Sequence, residues 1–210
     1  MHKIIEDLNW RYATKKFDPT LKLSEEQLEI IMESLRLTAS SFGLQAYKIL
    51  LIENPELRRE LTAASYGQTP VSDASHLFIF CANTKVSEED VSAYMSLISQ
   101  ERNVPSDNLQ GFANGIQNSV NNMSSEQLIS WTTKQTYIAL GQLMNTCAAL
   151  RVDCLPMEGF DSFKYDQILG LETQNLTATL VCPVGFRHKE DASQHKKKVR
   201  KARELFFEFK

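Results

Sequence analysis

The longest regular pattern in this 210-residue chain runs from Ser124 to Leu150. Its larger side chains recur mostly at three- and four-residue steps, as is typical of an α-helix, and include Leu128, Trp131, Gln135, Ile138, Leu143 and Cys147. A helix of roughly 25 residues spans about 38 Å, which is more than a small domain needs for its own packing. The pattern therefore predicts either a central core helix or a helix at a subunit interface.

Short apolar segments alternate with further helical patterns along the rest of the chain. AYKILLIE, HLFIFCAN and LTATLVCPVG are typical of strands, and the last is too apolar to face water on either side. Ser24, followed by Glu25, Glu26 and Gln27, predicts a capping box, and further helices are predicted from IIEDLNWR, near Pro55 and from Asp161. The predicted class is α+β or α/β, with a sheet covered by helices on both faces, in a single domain over residues 1–210.

The composition argues against several classes of protein. A net charge of −3 disfavours a general role on nucleic acid or on membrane surfaces, and no segment reaches the roughly 20 apolar residues of a membrane-spanning helix. The first residues, MHKIIEDLNWR, lack the composition of a signal peptide. The four cysteines, Cys81, Cys147, Cys154 and Cys182, lie far apart in apolar segments, so we expect reduced core residues of a cytoplasmic protein.

Four polar segments could carry chemistry: RYATKKFD, TASSFGLQAY, LPMEG and KKKVR. Cations, small hydroxyls and glycine backbone are the groups that bind a phosphate and a polar ring system. The dinucleotide, P-loop and serine-hydrolase motifs are absent, and the histidines lack metal-ligand spacing, so no metal site is expected. If the chain is an enzyme, we therefore expect an organic cofactor to supply the chemistry.

In the same order and with similar spacings, the segments RYATKKFD, ASSFGLQAY, DASHLFIF, WTTKQTYIALG, LPMEGFD, PVGFRHKED and KKKVR resemble the FMN-dependent nitroreductase family, in its oxygen-insensitive NAD(P)H nitroreductase and flavin reductase branch. The resemblance covers nearly the whole chain. It implies an α+β nitroreductase-like fold with a central, mostly antiparallel sheet flanked by helices. It also implies a long helix at a dimer interface and a C-terminal segment exchanged with the partner subunit.

The activity implied by the resemblance is that of a flavoprotein oxidoreductase. FMN lies at the interface of a cytoplasmic homodimer, and hydride passes from NAD(P)H through FMN to nitroaromatic, quinone or flavin acceptors in a ping-pong order. Two other functions stay open. One is a flavoprotein of the same superfamily with a dedicated metabolite substrate. The other is a non-catalytic module that binds an acidic partner or nucleic acid through HKKKVRKAR, although only one end of this acidic chain is basic.

The resemblance also assigns site residues by position. The FMN phosphate is assigned to Arg11, Lys198 and Arg200. The phosphate, ribityl chain and ring edge are lined by Tyr12, Ala13 and Lys15. The residues expected to reach the flavin from the partner subunit are Ser40, Ser41 and Gly43. The isoalloxazine ring is assigned to Pro156, Met157, Glu158 and Gly159. The catalytic candidate is the backbone amide of Glu158, directed at the reactive flavin nitrogen, and the long helix contributes Gln135.

The chain departs from the family pattern in several places, and one is the loop expected to reach the partner, where LQAY replaces the typical SQPW and Gly43 replaces a frequent Asn. Family members commonly carry Ser in place of Ala13, and Asn and Lys where this chain has Gly67 and Pro70, with Gln68 as a substitute. A missing cation there would stabilise the reduced, anionic flavin less. Residues from about 87 to 123 form a variable cap region that departs most from residue 101 onward, so the acceptor is not implied. The apolar tail from about residue 201 to 210 suits a segment that reaches the partner.

Overall fold

A computed structural model describes residues 1–210. The helices are α1 (Lys3–Trp10), α2 (Glu25–Arg36), α3 (Pro55–Ala64), α4 (Pro70–Asp73), α5 (Glu88–Arg102), α6 (Gln110–Asn121), α7 (Ser125–Ala149), α8 (Ser162–Leu169) and α9 (Arg203–Phe206). The strands are β1 (Tyr47–Ile52), β2 (His76–Asn83), β3 (Asp153–Cys154) and β4 (Leu176–Gly185). Single 3-10 turns lie at Ser41–Gly43, Ser106–Leu109, Glu172–Gln174 and Ala192–His195. Helices and one sheet share the chain, which confirms the α+β class.

The four strands form one sheet in the order β1-β2-β4-β3, and each neighbouring pair is antiparallel. Successive side chains of a strand point to opposite faces. In β2, Leu77 and Ile79 enter the core shared with α3 and α8, whereas Phe78 and Phe80 enter the core shared with α2 and α7. The antiparallel sheet covered on both faces is therefore confirmed.

Helix α7 is a core helix, 25 residues long, that crosses the sheet and also packs on α1 and α2. It begins with the capping box of Ser124 and Gln127. Its buried side includes Ala139 and Leu143, while Tyr137 and Ile138 are 44% and 49% exposed. This exposed pair lies on the outer side of the helix, where the subunit interface stays a prediction. None of the helices combines the length and apolar character needed to cross a membrane.

The variable region folds into the helix pair α5 and α6. Val91 and Met95 of α5 meet Ile116 and Val120 of α6, and the cluster closes against Leu128 of α7. The region thus has a small core of its own, separate from the two cores that cover the sheet.

The tail ends in the single helical turn α9 and presents its apolar side chains to solvent. Leu205, Phe206, Phe207 and Phe209 are between 56% and 89% exposed. Four exposed apolar side chains in one short segment of a monomer mark an interaction surface. Exchange of this segment with a partner stays a prediction.

All four cysteines are buried and none forms a disulfide, as predicted. Burial raises the pKa of Cys81 to about 12, so this thiol stays protonated at neutral pH. No group of three or more His, Cys, Asp or Glu side chains is arranged to hold a metal ion.

His76 begins β2 as a buried histidine, with Nδ1 2.9 Å from Ser75 Oγ and Nε2 3.3 Å from Glu53 Oε1. Burial lowers the pKa of His76, and the charges of Arg58 and Lys22 act in the same direction while Glu53 opposes them. Because the folded-state pKa lies below the unfolded value of about 6.5, the neutral ring contributes stability that is present above about pH 6.5 and lost below it.

We therefore expect the wild type to lose more unfolding free energy than His76→Gln when the pH falls from about 7.5 to about 5.5. Urea unfolding at both values measures this. Equal losses in the two proteins would show that His76 is not responsible.

Candidate functional site

A cavity of about 330 Å³ lies between residues 9–13 and residues 193–200. Its charged lining consists only of cations: Arg11, Lys196, Lys197, Lys198 and Arg200. Lys198 Nζ donates to the backbone oxygen of Arg11 at 2.6 Å and to that of Leu8. The C-terminal basic run is thereby attached to the end of α1, and the two segments form what we call the cation cavity. Arg11, Lys198 and Arg200 are brought together as the sequence predicts.

The cation cavity has an unbalanced charge. Burial lowers the pKa of Lys198, and the charges of Arg11 and Arg200 lower it further. Arg11 Nε is buried without a hydrogen-bond partner, although such donors are nearly always paired in folded proteins. A phosphate would supply several acceptor oxygens and the opposite charge, so the residues present fit a phosphate group.

One wall of the cation cavity is organised by Asp191, which is buried. Its carboxylate accepts the backbone N–H of Lys15 at 2.8 Å and of Lys16 at 3.3 Å, the hydroxyl of Tyr12 at 3.0 Å and the N–H of Ser193 at 2.9 Å. Burial alone would raise the pKa of Asp191, but these donors outweigh it and the pKa is lowered. Burial and the bond to Asp191 raise the pKa of Tyr12 to about 12. Asp191 thus joins the two segments around the cavity.

The other side of Tyr12 is held by Arg187. The Arg187 guanidinium lies 4.6 Å from the Tyr12 ring centroid and 4.3 Å from that of Trp10, which are favourable cation–π distances. It also donates to Asp153 Oδ1 at 2.7 Å, and Thr14 Oγ1 donates to the same carboxylate at 3.3 Å. Asp153 is the first residue of β3, so the predicted phosphate segment is fixed to the strand that leads into LPMEG.

Residues 156–159, which we call the Glu158 turn, follow β3 closely. Met157 exchanges backbone hydrogen bonds with Val181 of β4 at 2.8 and 3.1 Å, and Ala13 bridges to Cys154. The turn therefore lies beside the Arg11–Lys15 segment, as predicted. Glu158 is exposed, and its backbone N–H donates to no acceptor within the chain. This free amide is available to a ligand.

Gln68 contacts the Glu158 turn directly. Its Nε2 donates to the backbone oxygens of Gly159 at 2.7 Å and Ser65 at 3.1 Å, so only its Oε1 is left for a ligand. A Cβ at Gly159 would meet only Gln68 Nε2, at 3.4 Å. The glycine therefore leaves the outer surface of the turn uncovered, while contact of Gln68 with a flavin stays a prediction.

The Ser40–Gly43 segment lies on α7 at a different place. The Ser41 N–H donates to Gln135 Oε1 at 2.8 Å, and Gln135 Nε2 donates to the Trp131 backbone oxygen at 2.9 Å. Gln135 thus supports this segment with both ends of its amide. No hydrogen bond joins the segment to the cation cavity or to the Glu158 turn. Within a single subunit, therefore, no hydrogen bond links Ser40–Gly43 to the rest of the predicted site.

The same segment is joined to the cap region by aromatic residues. Gly43 has a φ of 76°, and a Cβ there would collide with Tyr94 Oη. Tyr94 donates to the Phe42 backbone oxygen at 2.9 Å, and Phe42 has a φ of 59°, which is rare for a residue with a side chain. The Phe42 ring lies 6.4 Å from Phe112 and 6.2 Å from Trp131 between centroids. Strain of this kind is commonly found at functional segments.

Comparison with known proteins defines the class. The model of the nitroreductase family matches residues 8–186. A proposed NAD(P)H nitroreductase of Staphylococcus haemolyticus is 34% identical over 218 aligned residues, which cover 98% of this chain and 96% of that protein. The chain belongs to the nitroreductase family.

Solved structures show the same fold. A proposed NAD(P)H:FMN oxidoreductase of Staphylococcus epidermidis matches with a TM-score of 0.88 at 20% identity, covering 100% of this chain and 96% of the other. A proposed nitroreductase of Exiguobacterium sibiricum, solved in complex with FMN, matches with a TM-score of 0.85 at 19% identity, covering 99% and 97%. The nitroreductase-like fold predicted from the sequence is therefore confirmed.

Proposed function

We propose that this protein is an FMN-dependent NAD(P)H oxidoreductase that reduces nitroaromatic, quinone or flavin acceptors. The observation that carries the proposal is the cation cavity, with its unpartnered Arg11 Nε, beside a turn that presents a free backbone amide. Family membership supports it, as do the NAD(P)H nitroreductase name of the Staphylococcus haemolyticus relative and the FMN bound to the Exiguobacterium sibiricum protein.

Each part of the site has a defined task. When bound, FMN would supply the redox chemistry, which is hydride transfer from NAD(P)H to the acceptor in a ping-pong order. Arg11, Lys198 and Arg200 would neutralise its phosphate, because charge-assisted hydrogen bonds to phosphate are among the strongest that side chains form. The residues that would line the phosphate, ribityl chain and ring edge are Tyr12, Ala13 and Lys15. The half-buried Pro156 and the Glu158 N–H would present an apolar surface and a hydrogen-bond donor to the ring. The side chain of Met157 is buried in the core beside Val181, so Met157 would contribute through its backbone.

A second chain would complete the site. Ser40, Ser41 and Gly43 are held by α7 away from the cation cavity, so we place them against the flavin of a partner subunit. Exposed apolar residues on α1 and α7, including Ile4 and Ile138, suit the interface of such a cytoplasmic homodimer.

The C-terminal tail would bind the partner at the free edge of β1. This six-residue strand has a neighbour on one side only. Beside it lies a mainly apolar groove of about 370 Å³ lined by Leu35, Tyr47 and Phe78 among others, and Tyr47 Oη is buried without a partner. The exposed Phe206, Phe207 and other apolar residues of the tail match such a groove, and strand addition would satisfy the open backbone groups.

Titration with FMN tests the proposed site. Apoprotein should bind one FMN per chain, and the complex should have twice the chain mass of 23.9 kDa in light scattering. A stable FMN complex of a monomer would contradict the shared site. Protein that cannot be loaded with FMN would contradict the proposed function as a whole.

A further inference from the structure

Tyr137 of α7 makes a contact with the Glu158 turn that none of the roles above requires. Its hydroxyl donates to Glu158 Oε1 at 2.6 Å, which is a charge-assisted distance. The hydrogen bond to Glu158, with burial as a smaller cause, raises the pKa of Tyr137. The phenol therefore stays protonated at neutral pH and acts as the donor. Glu158 has no ion pair, so this is the contact that holds its carboxylate.

The turn is held from three directions. Met157 is fixed to Val181 in β4 by two backbone hydrogen bonds. Gln68, in the loop before α4, donates to the Gly159 oxygen at 2.7 Å. Between these two anchored residues stands Glu158, whose own N–H is free and whose side chain is held by Tyr137. Without the Tyr137 hydroxyl, the side chain of Glu158 would have no hydrogen-bond partner, although Glu158 carries the free amide.

We propose that Tyr137 is a positioning residue, which fixes Glu158 so that its backbone N–H keeps the direction needed at the reacting face of the flavin. The inference rests on the proposed function and deepens it. Tyr137 acts through the Glu158 side chain and does not itself take part in hydride transfer. Such orientation matters because a displacement of about 1 Å in a reacting assembly can lower the rate by about 100-fold.

Tyr137→Phe tests the proposal, since it removes the hydroxyl and keeps the ring. In FMN-loaded enzyme we expect kcat to fall by about 5- to 20-fold, while the Kd for FMN and the KM for NAD(P)H change by less than about twofold, because the cation cavity is untouched. Glu158→Ala removes the same contact and should lower kcat similarly. The double variant should then be no slower than Glu158→Ala, because both changes remove one interaction.

Lys134→Ala serves as the control, because Lys134 is exposed on the same helix and makes no ion pair; its kcat should equal that of the wild type. A Tyr137→Phe enzyme with wild-type kcat, or losses that multiply in the double variant, would overturn this inference alone. A wild-type protein that binds no FMN would overturn the proposed function and this inference with it.

Discussion

Replacing Lys198 and Arg200 together by alanine should weaken FMN binding by about 100-fold or more. Hydrogen bonds between charged groups contribute about 1.5–3 kcal/mol each, and every 1.4 kcal/mol is about tenfold in Kd. Both side chains line the cation cavity, where burial and the charges of Arg11 and Arg200 lower the pKa of Lys198. Fluorescence titration of apoprotein with FMN measures the change, and the variant should lose FMN most readily at high salt.

The matched control removes the same charge elsewhere. Lys85 and Lys189 are exposed, make no ion pair and do not line the cavity. Lys85→Ala with Lys189→Ala should therefore change the Kd for FMN by less than about threefold. Equal losses in both double variants would mean that net charge, not the cavity, retains FMN. Unchanged binding in Lys198→Ala with Arg200→Ala would mean that the phosphate lies elsewhere.

Replacing Arg58 by methionine should lower the free energy of unfolding by about 3–5 kcal/mol. Arg58 is buried, and its guanidinium donates to the backbone oxygens of Val71 at 2.9 Å, Ala74 at 2.6 Å and Ser75 at 3.1 Å. Burial lowers its pKa. Methionine would fill similar space but leave three buried carbonyl groups without a donor, at the point where α4 leads into β2. Urea unfolding measures the difference.

Arg59, the next residue, is the control. It is exposed and forms an ion pair with Glu56 at 2.9 Å. Surface ion pairs contribute at most about 1 kcal/mol, so Arg59→Met should have a small effect. If the two substitutions lower the free energy of unfolding equally, the hydrogen bonds from Arg58 to the carbonyl groups are not what stabilises the junction of α4 and β2.

Local chemistry explains which elements the sequence predicts well. The capping box at Ser24 forms as predicted, because Gln27 lies within reach of the serine, and the structure shows a second one at Ser124 with Gln127. Strand β2 is also predicted, because its apolar run faces a core on both sides. The order of the family motifs along the chain predicts the whole fold, and it also assigns the candidate site residues, whose roles stay predictions.

Long-range partners explain what the sequence does not reveal. Tyr12 and Asp191 are 179 positions apart, and Asp191 lies next to a basic run, where an acid is usually a solvated surface charge. The family resemblance assigns Gln135 and Gln68 to the cofactor, and in the structure each donates its amide nitrogen to a backbone oxygen. Whether such a side chain binds a ligand or the protein backbone depends on tertiary packing, which a local sequence pattern does not indicate. Strand β3 has only two residues, which is too short for a periodic pattern of apolar residues to be seen in the sequence.

Anaerobic addition of NADH or NADPH to FMN-loaded protein tests the central claim most directly. We expect the visible flavin absorbance to bleach with at least one of the two nucleotides. The absorbance should return after addition of one equivalent of a quinone per bound FMN, because a quinone accepts the two electrons that reduced FMN carries. Protein that binds FMN but keeps its absorbance with both nucleotides would contradict NAD(P)H-dependent reduction.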